Sequence, residues 1–182
     1  MNRAALEHLL RAAAAVTGES TFYVVGSAAI LPAWPPERDI PEVVARSREA
    51  DLIPASGSLQ MVDLIDGALG QDSTFDSTFG YYADGVDFST VSWAPEGWRD
   101  RVIRFQTAAT GDAVGLCMEP HDLVVAKLCA GRAKDLEFAE GLVQSGLVGR
   151  EILLQRLQTV AAPEPIVQIA KERLTSMTDS RQ

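Results

Sequence analysis

The chain has 182 residues, 47% of them hydrophobic and 23% charged, with a formal net charge of −9. That length suits one domain, or one domain with a small helical appendage, and the composition can bury a real core. The acidity excludes bulk attraction to nucleic-acid phosphates or anionic lipid outside a local basic patch.

No apolar run approaches the roughly 18 residues of a membrane span. Glu7, His8 and Arg11 interrupt the stretch where a signal peptide would be apolar. Cys117 and Cys129 lie among apolar residues and match neither a disulfide framework nor a zinc spacing. The expectation is a reduced, cytoplasmic protein without membrane contact.

In chain order, residues 3–16 place Ala5, Leu6, Leu9, Leu10, Ala13 and Ala14 at helical spacing, with Gly18 as the stop. Thr21–Val25 is rich in β-formers and reads as a buried strand. Gly26 permits a tight turn, and Ser27 is a good N-cap for a helix over 28–33. Pro32, Pro35 and Pro36 open a loop, and Pro41 starts a helical turn within 40–46. Arg48–Ile53 is the second strand, stopped by Pro54. Leu59–Leu69 has helical periodicity and ends at Gly70, Gln71–Thr78 reads as a polar loop, and Phe79–Val86 as a strand. Pro95–Trp98 is a turn, and Arg101–Thr107 and Ala113–Cys117 are strands joined by a turn at 110–112. From Met118 the character changes: helices are expected at 121–130, 133–145, 149–160 and 164–177. The expected fold is α/β (α+β), a small mixed sheet flanked by helices over 1–118 and a helical bundle over 119–182.

Three constellations carry chemistry. Gly26-Ser27 at the end of a strand can cradle a phosphate with backbone amides and a hydroxyl, or simply turn the chain. Glu49 and Asp51, at i and i+2 of a strand, point to one face. Like charges placed so closely cost stability unless a cation lies between them, and hard carboxylate oxygens suit Mg²⁺, or Mn²⁺; the same pair also fits a solvated edge strand with its charges facing out. Lys127, Arg132 and Lys134, with Asp135, form the densest basic cluster in an acidic chain. It can neutralise phosphates or a leaving pyrophosphate, or serve as a helix junction in which Asp135 caps the next helix.

In order, Gly26-Ser27, Glu49-x-Asp51, and Asp122-Leu-x-x-x-Lys127-x-x-Ala130-Gly131-Arg132-x-Lys134-Asp135 resemble bacterial nucleotidyltransferases of the polymerase-β-like superfamily. The closest likeness is to a small group related to toxin components of phage-defence toxin–antitoxin pairs. Ile65-Asp66-Gly67, the run Phe79–Val86 and Pro95–Trp98 are similar to the same group. The resemblance implies that Gly26 and Ser27 hold a triphosphate and that Glu49 and Asp51 bind Mg²⁺ (or Mn²⁺). It also implies a third carboxylate on a later strand, for which Asp87 and Asp84 are the candidates. Lys127 would act in the chemistry, and Arg132, Lys134 and Asp135 would contact the nucleotide. The implied activity is transfer of a nucleoside monophosphate from an NTP to a protein, RNA or small-molecule acceptor, with an antitoxin as a further partner in the toxin reading. This chain carries Glu-x-Asp where the group usually carries Asp-x-Asp. The alternative is therefore a catalytically degenerate nucleotide-binding or partner-binding module of the same fold.

Overall fold

The computed structural model describes residues 1–177. Helix α1 spans Arg3–Thr17; the Asn2 side chain accepts the Ala5 N–H at its start, and Gly18, in the left-handed region, ends it. Strand β1 (Thr21–Val25) follows, then a single 3₁₀ turn, Ser27–Ile30, and the short helix α2 (Glu42–Ala45). Strand β2 is Glu49–Pro54, helix α3 Leu59–Leu69, helix α4 Thr74–Phe79 and strand β3 Tyr82–Gly85. Two 3₁₀ turns, Phe88–Val91 and Trp98–Arg101, lead to β4 (Ile103–Phe105) and β5 (Val114–Cys117). Four helices complete the described chain: α5 (Pro120–Ala130), α6 (Ala133–Ser145), α7 (Arg150–Leu157) and α8 (Glu164–Ser176).

The five strands form one mixed sheet in the order β3-β2-β1-β5-β4. β1 pairs antiparallel with β2 and parallel with β5, β2 pairs parallel with β3, and β4 closes the far side antiparallel to β5. Because strand side chains alternate, Phe22 and Val24 share one face, together with Cys117 and the gap left by Gly115, where Leu10 of α1 fits. Tyr23, Val25, Glu49 and Asp51 are left on the opposite face. At the β3 edge, α3 lies so close that a Cβ on Gly85 would meet the Val62 carbonyl. The Gly85 N–H donates to Asp66 Oδ1 at 2.6 Å. A helix thus covers an edge that would otherwise offer unpaired backbone groups.

Packing joins the sheet to the helices that follow. One contiguous set of buried side chains runs from Leu6 through Leu52, Leu128 and Leu142 to Leu174 and Met177. Asp122 of α5, with no exposed side-chain surface, accepts two hydrogen bonds from Arg101, at 2.9 and 3.0 Å, and pairs with Arg156 of α7. No described helix is long and apolar enough to cross a membrane.

The architecture is the α/β one expected, with local differences. The helix expected over 28–33 is one 3₁₀ turn, and β4 is shorter than Arg101–Thr107 because 98–101 coils into a turn. Residues 74–79 form a helix rather than a loop. Ser73 accepts the Asp76 N–H, Gly80 supplies a left-handed stop, and the buried Asp76 carboxylate pairs with Arg48. The cap and stop outweigh the polar composition, and the third strand begins only at Tyr82.

Candidate active site

β1 ends beside β2 with Val25 opposite Asp51. The next residue, Gly26, has φ +69° and ψ −167°, and a Cβ there would overlap Asp51 Oδ2. Only glycine fits both that backbone and that neighbour. The Gly26-Ser27 bend therefore lies against the Asp51 carboxylate.

Two residues back on β2, Glu49 shares the face of Asp51. Across the parallel β2–β3 pairing, Asp84 stands opposite Asp51 and Tyr82 opposite Glu49. Three carboxylates thus occupy one face of two adjacent strands. Burial, reinforced by Glu49 and Asp84 and opposed by Lys127 and Lys134, pushes the Asp51 carboxyl up to about 6. Burial, then Glu49 and Asp66, also raise Asp84. The Tyr82 hydroxyl donates to Glu49 Oε2 at 3.1 Å and is pushed up to about 12, by burial first and by Glu49 next. The carboxylates of Asp51 and Asp84 accept no hydrogen bond and form no ion pair among the described residues, so their oxygens are open.

The facing wall comes from α5 and α6. Lys127 Nζ donates to Asp135 Oδ1 at 2.8 Å and lies 4.8 Å from the centre of the Phe138 ring. Arg132 Nε donates to Asp135 Oδ2 at 2.6 Å. Lys134 Nζ is 3.9 Å from Glu49 Oε1 and bridges the two walls. Asp135 is wholly buried. Burial alone would raise its carboxyl, but the bonds from Lys127 and Arg132 outweigh that and leave it below the usual carboxylate range. The turn between the helices is held from behind: Gly131 is left-handed, and Arg173 of α8 lies against it and donates to the Leu128 carbonyl at 2.6 Å. That carbonyl is one that a helix end otherwise leaves without a partner.

Between the walls is a cavity of about 650 Å³. Gly26, Ser27, Glu49 and Asp51 line it from the sheet, and Lys127, Arg132, Lys134 and Asp135 from the helices. Of the two third-carboxylate candidates, Asp84 lines the cavity and Asp87 does not. Asp87 opens the 3₁₀ turn that follows β3, where its Oδ1 accepts the Ser89 N–H at 2.7 Å. Asp135 lines the cavity with a carboxylate already committed to two cations, so it places Lys127 and Arg132 rather than offering a free contact. Tyr82 and Trp93 also line the cavity, and neither was singled out by spacing. Tyr82-x-Asp84 repeats the i, i+2 pattern of Glu49-x-Asp51 and could have been found that way.

Asp135→Asn keeps the shape but removes the charge between two cations. The expected loss is roughly 2–3 kcal/mol of stability at neutral pH, seen as a lower denaturant midpoint. Because the folded-state carboxyl is depressed, its contribution is present above the ordinary carboxylate range and lost as pH falls. The wild-type and variant midpoints should therefore converge in acid.

Among the described residues, no three acidic, histidine or cysteine side chains close into a ready-made metal cage. The open oxygens of Asp51 and Asp84, with Glu49 beside them, are nevertheless the donor type that suits a hard cation. Such a cation commonly takes one or two protein carboxylates and fills its shell with water and substrate phosphates.

A family model described as a nucleotidyltransferase of unknown function (DUF6036) matches residues 4–178, and the chain belongs to that family. No curated protein and no solved structure matches it.

Proposed function

We propose, from membership of that nucleotidyltransferase family, that the chain transfers a nucleoside monophosphate from an NTP to an acceptor and releases pyrophosphate. The observation that carries the reading is the placement of Glu49, Asp51 and Asp84 on one sheet face, beside the Gly26-Ser27 bend and across from three cations. The Ser27 hydroxyl and the bend's backbone take a phosphate of the NTP. Lys127 and Arg132, held by Asp135, and Lys134 offset charge on the α-phosphoryl group and the departing pyrophosphate. Glu49, Asp51 and Asp84 would hold Mg²⁺ (or Mn²⁺), which supplies Lewis-acid polarisation and a lower pKa for the attacking hydroxyl. The acceptor oxygen bonds to the α-phosphorus as the bond to the β-phosphate bridge breaks. The hydroxyl proton leaves through the carboxylate face.

The open oxygens of Asp51 and Asp84 favour an active enzyme over a degenerate module, because a binding fold that has lost its chemistry has no need to keep two half-buried, unpaired carboxylates. The likeness to phage-defence toxins makes an antitoxin a candidate partner, and a protein, RNA or small molecule remains the candidate acceptor.

Thermal shift with NTP, with and without Mg²⁺, tests the site. A ligand that binds only the folded state raises the melting temperature by mass action. Wild type and Asp87→Asn should show a Mg²⁺-dependent shift with NTP, and Asp84→Asn should lose the Mg²⁺-dependent part. An unchanged shift in Asp84→Asn would remove Asp84 from the metal site.

A further inference from the structure

We infer that Trp93 is the platform on which the base of the bound nucleotide stacks, an assignment that rests on the nucleotidyltransferase reading above. The chain has three tryptophans. Two are in the core: Trp34 is 3% exposed and donates its indole N–H to the Arg38 carbonyl, while Trp98 is 8% exposed and packs edge-on to Tyr23. Trp93 differs from both in exposure and in facing the cavity. It is half-buried, it lines the cavity, no other ring packs against it, and its indole N–H donates no hydrogen bond among the described residues. A large ring with an unused donor, facing a cavity, is surface that a ligand ring can cover.

The segment that carries it is fixed rather than loose. The Ala94 N–H donates to the Val91 carbonyl at 2.9 Å, and Pro95 bridges to Val160. The Glu96 N–H donates to the Thr159 carbonyl at 3.0 Å, and the Glu96 carbonyl accepts from Arg101 at 2.9 Å. Arg101 is itself held by the buried Asp122. The backbone that carries the indole is therefore placed in advance, and covering the ring orders little further chain.

The cavity lining also combines two chemistries. The acidic sheet face and the Lys127, Arg132 and Lys134 wall suit a metal triphosphate. Val91, Trp93 and Leu123 add apolar surface to the same lining. A nucleotide combines the same two, charge on its phosphates and a flat ring in its base. Stacking on an aromatic face tolerates every base, because each presents a π-face. Trp93 thus contributes affinity for nucleotides in general rather than a choice among them.

The test is calorimetric titration of wild type, Trp93→Phe and Trp93→Ala, each with Mg²⁺, using a non-hydrolysable ATP analogue and inorganic tripolyphosphate. Circular dichroism confirms that each variant is folded. Trp93→Ala should weaken the analogue by about 10- to 100-fold and leave tripolyphosphate unchanged, while Trp93→Phe stays within a few-fold of wild type. Analogue binding should quench tryptophan fluorescence in wild type and not in Trp93→Phe. Equal affinity of wild type and Trp93→Ala for the analogue, or a parallel loss for tripolyphosphate, would overturn the assignment while leaving the nucleotide site standing. Failure of wild type to bind either probe would remove the nucleotide reading and the platform with it.

Discussion

Asp51→Asn should abolish nucleotidyl transfer and, in metal-free buffer at neutral pH, make the protein more stable. The activity loss follows from its place: Asp51 is the carboxylate that lies against the Gly26-Ser27 bend, between Glu49 on its own strand and Asp84 on the next. Charge stabilisation by a bound cation supplies several kcal/mol, so losing about 4 kcal/mol of it slows turnover by roughly 10³-fold. The stability gain follows from the raised carboxyl, about 6 in the fold against an ordinary value of 3.8. Below that ordinary value the group is protonated in both folded and unfolded chains and contributes nothing. As pH climbs through 3.8 toward 6, the unfolded chain ionises first and the fold is progressively disfavoured. Above 6 the penalty is complete, on the order of 2 kcal/mol after allowance for partial solvent contact. The asparagine variant escapes it. Melting temperatures measured with chelator should therefore coincide near pH 4 and separate in favour of the variant by pH 8. A variant that is inactive and also less stable at pH 8 would show that Asp51 supports the fold instead.

Gly26→Ala should lose activity to a similar degree, but with the opposite effect on stability. Its φ of +69° with ψ −167° is a conformation essentially reserved for glycine, and the added methyl would displace Asp51 Oδ2. Backbone strain costs roughly 1–3 kcal/mol before the overlap is counted, so chemical denaturation should show a loss of at least that size. Transfer should fall further than the folded fraction does, because the chain can relieve the overlap only by moving the bend or the carboxylate, and both belong to the site. Gly26→Ala with wild-type turnover per folded molecule would separate the bend from the chemistry. The two substitutions together distinguish a strained functional constellation from ordinary packing: one removes a charge and relaxes the fold, the other adds a methyl and strains it.

Most of this site was legible because its parts are local. The i, i+2 spacing of Glu49 and Asp51 determines their shared face once 48–53 is a strand, and a glycine after a β-rich run marks the bend beside them. What was not legible depends on pairing over distance. Asp84 lies inside the expected strand Phe79–Val86 and Asp87 one residue beyond it, but the stretch alone does not say which residue faces Asp51. The β2–β3 register decides it, and a strand that begins at Tyr82 rather than Phe79 follows from the helix α4 before it. Asp135 is a similar case. Its position at the start of α6 suggests a cap, whereas its partner Lys127 reaches it across the Gly131 turn from the preceding helix. Trp93 reads as a core or loop anchor until the cavity it lines is seen. The order of the helices after residue 118 was plain from periodicity, but the Arg173 contact that braces the Gly131 turn joins segments some forty residues apart.

The most direct measurement follows the fate of two labels on one nucleotide. The protein is incubated with Mg²⁺, cell extract and NTP labelled either at the α- or at the γ-phosphate. The α-label should become covalently attached to an acceptor, the γ-label should leave as pyrophosphate, and Asp51→Asn should do neither. Attachment of the γ-label, or α-label transfer that persists in Asp51→Asn, would contradict nucleotidyl transfer at this site.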